Sequence, residues 1–186
     1  MVKRCNNIWV AMYSQSGSEL AKLIKSTGKK PAVILTNTKQ GIRPDLYNPG
    51  HTMVIHDKHD NLMDWLRKSY PDPDIRETVT ITLHGYLRVL PSDVCTRYNI
   101  YNGHPAAIDL YPDLKGMDPQ VRTWENRDKY KFVGSVVHKV VPEVDEGEIV
   151  KSVHLTNTAQ SLDDMFAMLT LTSQSAWHFA LKEIMR

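Results

Sequence analysis

Short β-rich runs alternate with stretches of helical periodicity through the first hundred residues, and this alternation restricts the fold more than any other feature. "IWVAMY" (8–13) is an apolar run of strand length. After "SQSGSE", Leu20, Leu23 and Ile24 recur at helical spacing until Gly28 stops them. "PAVILTN" (31–37) and "TMVIH" (52–56) read as the second and third strands, followed by the helical "NLMDWLRKSY" with Leu62, Trp65 and Leu66 on one side. "TVTITLHGY" (78–86) is a fourth strand, "LPSDVCTRY" a short helix capped around Ser92, and "NIYNGHP" (99–105) a fifth strand leaving the sheet. Strands that alternate with helices predict an α/β fold: a Rossmann-like, mostly parallel sheet with helices on both faces. Ligands of such sheets sit outside the carboxyl ends of the strands.

The last third changes character. "FVGSVVHKVVPEVDEGEIVKSVHLTN" (132–157) is rich in valine and broken by an acidic turn, which predicts an antiparallel pair of extended segments. From Ser161 onward a long closing helix is expected, with Ser161 as N-cap and Asp163 and Asp164 complementing the helix dipole in its first turn. The 186 residues are expected to form one domain, with residues 1–100 as the alternating half and 101–186 as the other. "YPDPDIRE" (70–77) reads as a surface loop within it.

Composition excludes several classes. With 41% hydrophobic and 24% charged residues the chain is neither disordered nor fibrous. The 23 Lys and Arg are scattered against 21 Asp and Glu, so no nucleic-acid footprint is expected. Cys5 and Cys95 form no metal spacing and read as reduced, inert thiols. No run approaches the roughly 20 apolar residues of a membrane helix. The N-terminus lacks a small-residue cleavage site, which predicts a cytoplasmic protein without a membrane partner.

One pair of residues stands where chemistry is expected. In "YNGHP", an extended backbone from Tyr101 to Pro105 aims Asn102 and His104 at one point, because residues i and i+2 share a strand face. An amide can donate to a developing oxyanion, and an imidazole can move a proton or stabilise negative charge. The pair lacks a neighbouring carboxylate to set the ring's tautomer. Asp145, in the turn "EVDEGEIV", is placed to return over the strand ends.

The order of these fragments resembles the formyltransferases that use 10-formyltetrahydrofolate, and most nearly their glycinamide ribonucleotide branch. "IWVAMYSQSGSEL" is similar to the family's first strand and glycine-containing loop, and "TLHGYLRVLPSDVCTRY" to its Gly-aromatic-x-Arg-x-Leu segment. "NGHP" resembles Asn-x-His-Pro, "GSVVH" resembles Gly-x-x-x-His, and "VDEGEIV" resembles Val-Asp-x-Gly-x-Ile, all in the family's order and over most of the chain. The resemblance implies a formyltransferase fold and a catalytic triad of Asn102, His104 and Asp145. It implies 10-formyltetrahydrofolate as co-substrate, with its pteridine held by Leu87, Arg88, Val89 and Leu90 and covered by a loop containing Val141 and Val144. It places the acceptor's phosphate at Ser16, Gly17, Ser18 and Glu19, with Pro105 also on the acceptor side. No metal is implied, the acceptor is a small-molecule amine, and a homodimer is left open. Glu19 stands where the glycinamide ribonucleotide branch usually carries Asn, and "AAIDLYPDLKGMDP" replaces its Ser-Leu-Leu-Pro run. "GMDP" followed by Trp124 is closer to the sugar-nucleotide N-formyltransferases.

Other candidates have plainer readings. His56 and His59 lack a third ligand at metal spacing and read as loop residues. His84 and His138 read equally as site-lining or satisfied core histidines. The methionines and Trp177 of the last helix read as core or dimer-contact residues. The expected function is formyl transfer to a small phosphorylated amine, with glycinamide ribonucleotide of purine biosynthesis favoured. The alternatives are an amino-sugar nucleotide acceptor, water as acceptor, and a non-catalytic relative that binds folate or a nucleotide.

Overall fold

The computed structural model describes residues 7–46, 52–72 and 78–185. Cys5 and residues 73–77 of the expected surface loop lie outside the described residues. Packing divides the chain into two compact units, Met1–Tyr101 with Met185, and Asn102–Ile184 with Arg186. The seven strands follow the order β3-β2-β1-β4-β5-β6-β7.

The first unit holds β1 (Ile8–Tyr13), α1 (Ser18–Thr27), β2 (Val33–Thr36), β3 (Met53–His56), α2 (His59–Ser69), β4 (Val79–Leu83), α3 (Ser92–Arg97) and the start of β5 (Asn99–His104). β1 pairs in parallel with β2 and β4, and β2 with β3. Parallel neighbours need crossovers, and the periodic segments supply them as α1 and α2. From Trp9 to Tyr13 every residue of β1 is buried, as is all of β4, the continuous apolar pattern of strands covered on both faces. β3 at the end of the order is half-exposed. Leu62, Met63 and Leu66 form the buried face of α2, while Trp65 lies at its margin against Tyr70.

Two expectations shift here. β4 ends at Leu83 rather than Tyr86, because Gly85 adopts a left-handed φ of 63° and its carbonyl accepts the Ser14 N–H at 3.2 Å. In α3, Ser92 is the first helical residue and Pro91 takes the cap position, with no side-chain cap bond.

The second unit continues β5 and adds α4 (Pro119–Glu125), β6 (Phe132–Lys139), β7 (Ile149–Thr156) and α5 (Leu162–Ile184). β6 and β7 are antiparallel, with a register shift at Val137/His138, and α5 packs against both. Ser161 Oγ accepts the Asp164 N–H at 3.1 Å, which is the N-cap bond its position predicted. Val133, Met165 and Leu169 form one core cluster, and Ala106, Ile108, Leu114, Tyr130 and Val136 another. α4 falls in a segment that the sequence pattern left without structure. It is seven residues long, begins at Pro119 after a left-handed Asp118, and has no apolar periodicity to announce it. Among the described residues, no helix is long and apolar enough to cross a membrane.

Candidate active site

Asn102 and His104 share one face of β5, as an extended i, i+2 pair must. Gly103 points the other way, against the fully buried Trp177 of α5: a Cβ on it would stand 2.3 Å from the indole Nε1. Glycine at this position lets the strand lie on the helix while presenting its two polar neighbours.

His104 is buried, with Nε2 3.0 Å from the Leu114 carbonyl oxygen and Nδ1 3.3 Å from Asp145 Oδ2. A carbonyl only accepts, so the neutral ring carries its hydrogen on Nε2 and turns the Nδ1 lone pair toward the carboxylate. Burial holds His104 below the ordinary histidine range, although Asp145 and the Leu114 carbonyl pull it upward. His138, on β6, repeats the arrangement. Its Nδ1 lies 3.0 Å from the Lys139 carbonyl, and its Nε2 lies 3.4 Å from both Asn102 Nδ2 and Asp145 Oδ1. The Asn102 amide therefore donates one hydrogen to His138 and keeps a second for another acceptor.

Asp145 sits in the turn between β6 and β7 with a left-handed φ of 56°, a conformation Asp tolerates better than most residues. Gly147 makes that turn possible, since a Cβ there would collide with the Lys139 carbonyl at 1.7 Å. Asp145 Oδ2 accepts the Gly116 N–H at 2.9 Å. Burial raises its pKa, but the His138 ring, the His104 ring and the Gly116 N–H together outweigh burial and hold the carboxyl below its ordinary value. An ionised carboxylate thus sits between Nδ1 of His104 and Nε2 of His138, and a proton on either ring favours its charge. The arrangement is a seat for one proton, which on either ring creates an imidazolium–carboxylate pair.

The structure thus brings Asn102, His104 and Asp145 into one network and adds His138, which the sequence left undecided. Sequence reasoning missed the Leu114 carbonyl and the Gly116 N–H, main-chain groups with no residue-type signal. Of the residues expected on the folate side, Val144 is exposed and Val141 half-buried. Pro105 is half-buried beside His104.

The remaining expected residues lie in the first unit. Gly17 caps α1 in a left-handed conformation (φ 67°) and packs against Tyr13 and Leu46, while Ser16 and Ser18 are exposed with their hydroxyls 3.0 Å apart. Glu19 turns its Oε2 to within 3.3 Å of Nδ1 of the buried His84. His84 Nε2 lies 2.9 Å from Thr82 Oγ1, which accepts the Trp9 indole N–H at 2.8 Å. With Trp9 as donor, the Thr82 hydroxyl is set to donate to His84 Nε2, which leaves Nδ1–H for the Glu19 carboxylate. The Leu87 N–H donates to Ser14 Oγ at 3.0 Å, stitching the loop after β1 to the segment after β4. Leu87, Arg88 and Val89 are exposed, and the Leu90 side chain is buried. His56 and His59 do not converge: His56 Nε2 lies 2.8 Å from the Thr38 carbonyl and His59 Nδ1 2.8 Å from Tyr86 Oη. Cys95 is buried, its thiol against the Leu90 carbonyl.

A mostly parallel α/β sheet that gathers a half-buried amide, two buried imidazoles and a carboxylate into one hydrogen-bonded network defines the class of protein. Comparison with known proteins gives the particular family. The family model described as formyl transferase matches residues 10–170, and the chain belongs to that family. A phosphoribosylglycinamide formyltransferase of Dictyostelium discoideum is 29% identical over 97 residues, which is 46% of this chain and 47% of that relative. The match thus spans about half the length of the curated relative. Among solved structures, phosphoribosylglycinamide formyltransferase from Streptococcus pneumoniae TIGR4 is similar with a TM-score of 0.77 at 15% identity, covering 97% of this chain and 99% of that one. The enzyme of the same name from Campylobacter jejuni subsp. jejuni NCTC 11168 gives 0.76 at 20% identity, covering 96% and 98%. At these identities the likeness is one of fold.

Proposed function

We propose that the protein transfers the formyl group of 10-formyltetrahydrofolate to the primary amine of a small phosphorylated acceptor, with glycinamide ribonucleotide favoured. The observation that carries this reading is the network in which the buried His104 and His138 flank an ionised Asp145 and the Asn102 amide reaches His138. The amine nitrogen attacks the formyl carbon, a C–N bond forms, and the carbonyl oxygen of the tetrahedral intermediate becomes negative. The second hydrogen of the Asn102 amide is available to that oxyanion. The ammonium formed by attack must lose a proton, and the seat shared by Asp145 and the two imidazoles can accept it. Collapse then breaks the bond to the folate nitrogen, to which the proton returns, releasing tetrahydrofolate and the N-formyl product. Positioning and electrostatics supply the acceleration.

The exposed apolar pair Leu87 and Val89 suits a flat heterocycle, and the family resemblance assigns them, with Arg88, the backbone at Leu90, and Val141 and Val144, to the folate. Exposed Ser16 and Ser18 at the N-terminus of α1 suit a phosphate. Glu19 is compatible with that phosphate because its carboxylate is directed to His84. The resemblance of "GMDP" followed by Trp124 to the sugar-nucleotide N-formyltransferases supports an amino-sugar nucleotide as the second acceptor.

The test is incubation with 10-formyltetrahydrofolate and a panel of amines that includes glycinamide ribonucleotide and amino-sugar nucleotides, following folate release by absorbance. Acceptor-dependent release is expected. Release without any amine, or none at all, refutes transfer. Asn102→Ala, His104→Ala and Asp145→Ala are each expected to lower kcat by ~10²–10³.

A further inference from the structure

Arg122, on α4, donates to three consecutive main-chain carbonyls: from Nη1 to Asp113 at 2.9 Å, and from Nη2 to Leu114 at 3.0 Å and Lys115 at 2.6 Å. Among the described residues it forms no ion pair with a carboxylate, and its Nε is buried without a partner. A planar fork of donors suits several carbonyls at once, which an ammonium on a flexible stem does not. The segment it grips, 113–116, reaches both members of the buried pair. The Leu114 carbonyl takes the Nε2–H of His104, and the Gly116 N–H reaches Asp145 Oδ2 at 2.9 Å. A single 3-10 turn, Pro112–Leu114, opens this segment, and the chain beyond it passes through the left-handed turn positions Gly116 (φ 89°) and Asp118 (φ 50°) before α4 begins.

We infer that Arg122 is a positioning residue: it clamps the 113–115 carbonyls so that Leu114 sets the tautomer of His104 and Gly116 sets the carboxylate of Asp145. The charged and titratable groups facing His104 are Asp145 from the β6–β7 turn, His138 from β6 and Arg122 from α4, and of these Arg122 and His138 oppose protonation of the ring. Arg122 therefore has two separable effects. Its fork holds the loop, and its charge adds a smaller contribution to the burial that holds His104 below the ordinary histidine range. Lys115 adds an outer tie to Glu146, next to Asp145, at 2.7 Å. That ion pair is exposed and weak by comparison.

The inference rests on His104 serving formyl transfer, so its test needs a readout independent of turnover. Two variants separate fork from charge. Arg122→Lys keeps the charge and loses the fork; Arg122→Gln loses both. Each is measured by steady-state kinetics with 10-formyltetrahydrofolate and the best acceptor, and by NMR titration of the His104 ring. Both variants are expected to lose kcat by about tenfold or more, since misplacement of about 1 Å can cost ~10²-fold, with both KM values within twofold of wild type. The His104 midpoint is expected to rise in Arg122→Gln and to stay near wild type in Arg122→Lys. An unmoved midpoint and unchanged ring resonances in Arg122→Gln overturn the inference. So does a fall in kcat matched by equal rises in both KM values, which marks a general loss of structure. If Arg122→Gln does not fold, wild-type kcat in Arg122→Lys overturns it and a selective loss of kcat supports it. Unchanged turnover in His104→Ala would instead defeat the formyl-transfer reading, and the NMR result would still decide whether Arg122 governs the ring.

Discussion

Gly103→Ala tests how closely the fold and the site are joined. A methyl on Gly103 would stand 2.3 Å from Trp177 Nε1, where ordinary contact begins at 3.4 Å, a deficit of about 1.1 Å. Trp177 is fully buried and is part of a 23-residue helix, so it has no empty space to enter. Either α5 or β5 must move, and overpacking of this kind costs ~1–3 kcal/mol. For a chain of this size that lowers Tm by roughly 3–10 °C. Urea denaturation should show a lower midpoint at an unchanged m value. If β5 is the element that yields, Asn102 and His104 shift with it and kcat falls by up to ~10²-fold. Trp177→Phe removes the nearest atoms, so Gly103→Ala should cost less in that background than in wild type, a coupling that a double-mutant cycle reads directly. Equal costs in both backgrounds, or no cost in wild type, would refute the steric account.

Two further predictions concern charge. His104 has a folded pKa below 6.5 and Asp145 one below 3.8, so in each case the unfolded chain binds the proton first as pH falls. The stability from His104 should be fully present above about pH 6.5 and lost as pH drops toward its folded value, and that from Asp145 should follow below 3.8. Urea midpoints of wild type and His104→Gln should converge on acidification from pH 7, and divergence would show that the sign is wrong. In the first unit, His84→Ala removes the ring that faces the Glu19 carboxylate. The KM of a phosphorylated acceptor should rise about fivefold, the worth of ~1 kcal/mol for like charges near solvent, with kcat little changed. Adding Glu19→Gln should restore it; an unaltered KM in His84→Ala would mean that Glu19 does not face the acceptor.

The alternating half of the chain was legible because β1, β2 and β4 are buried on both faces and α1 and α2 on one. Hydrophobic period alone therefore separates β1, β2 and β4 from α1 and α2. Its errors fall at boundaries where one backbone angle decides, as at Gly85 after β4. The second unit was legible where the pattern was long, in β6, β7 and α5. It was silent over 106–130, where α4 and its flanking turns are short and held by polar side chains. Asp113 accepts from the Tyr130 hydroxyl at 2.8 Å and from Lys129, and Arg122 grips the carbonyls beside it. Such bonds follow from proximity, which residue type does not encode.

The site divides in the same way. The i, i+2 spacing on an extended strand revealed Asn102 and His104, and motif order pointed to Asp145. What those groups can do depends on where their hydrogens reside, and main-chain carbonyls decide that. Leu114 fixes the hydrogen of His104 on Nε2 and Lys139 fixes that of His138 on Nδ1, so both rings turn a lone pair toward Asp145. With the opposite tautomers, each ring would already donate to the carboxylate and the seat would be filled. In the proposed reaction, the capacity to take a proton from an attacking amine follows from the fold of 113–116 and of the β6–β7 turn. For that reason a substitution at Arg122, which donates only to main-chain carbonyls, is expected to alter the acid–base behaviour of His104.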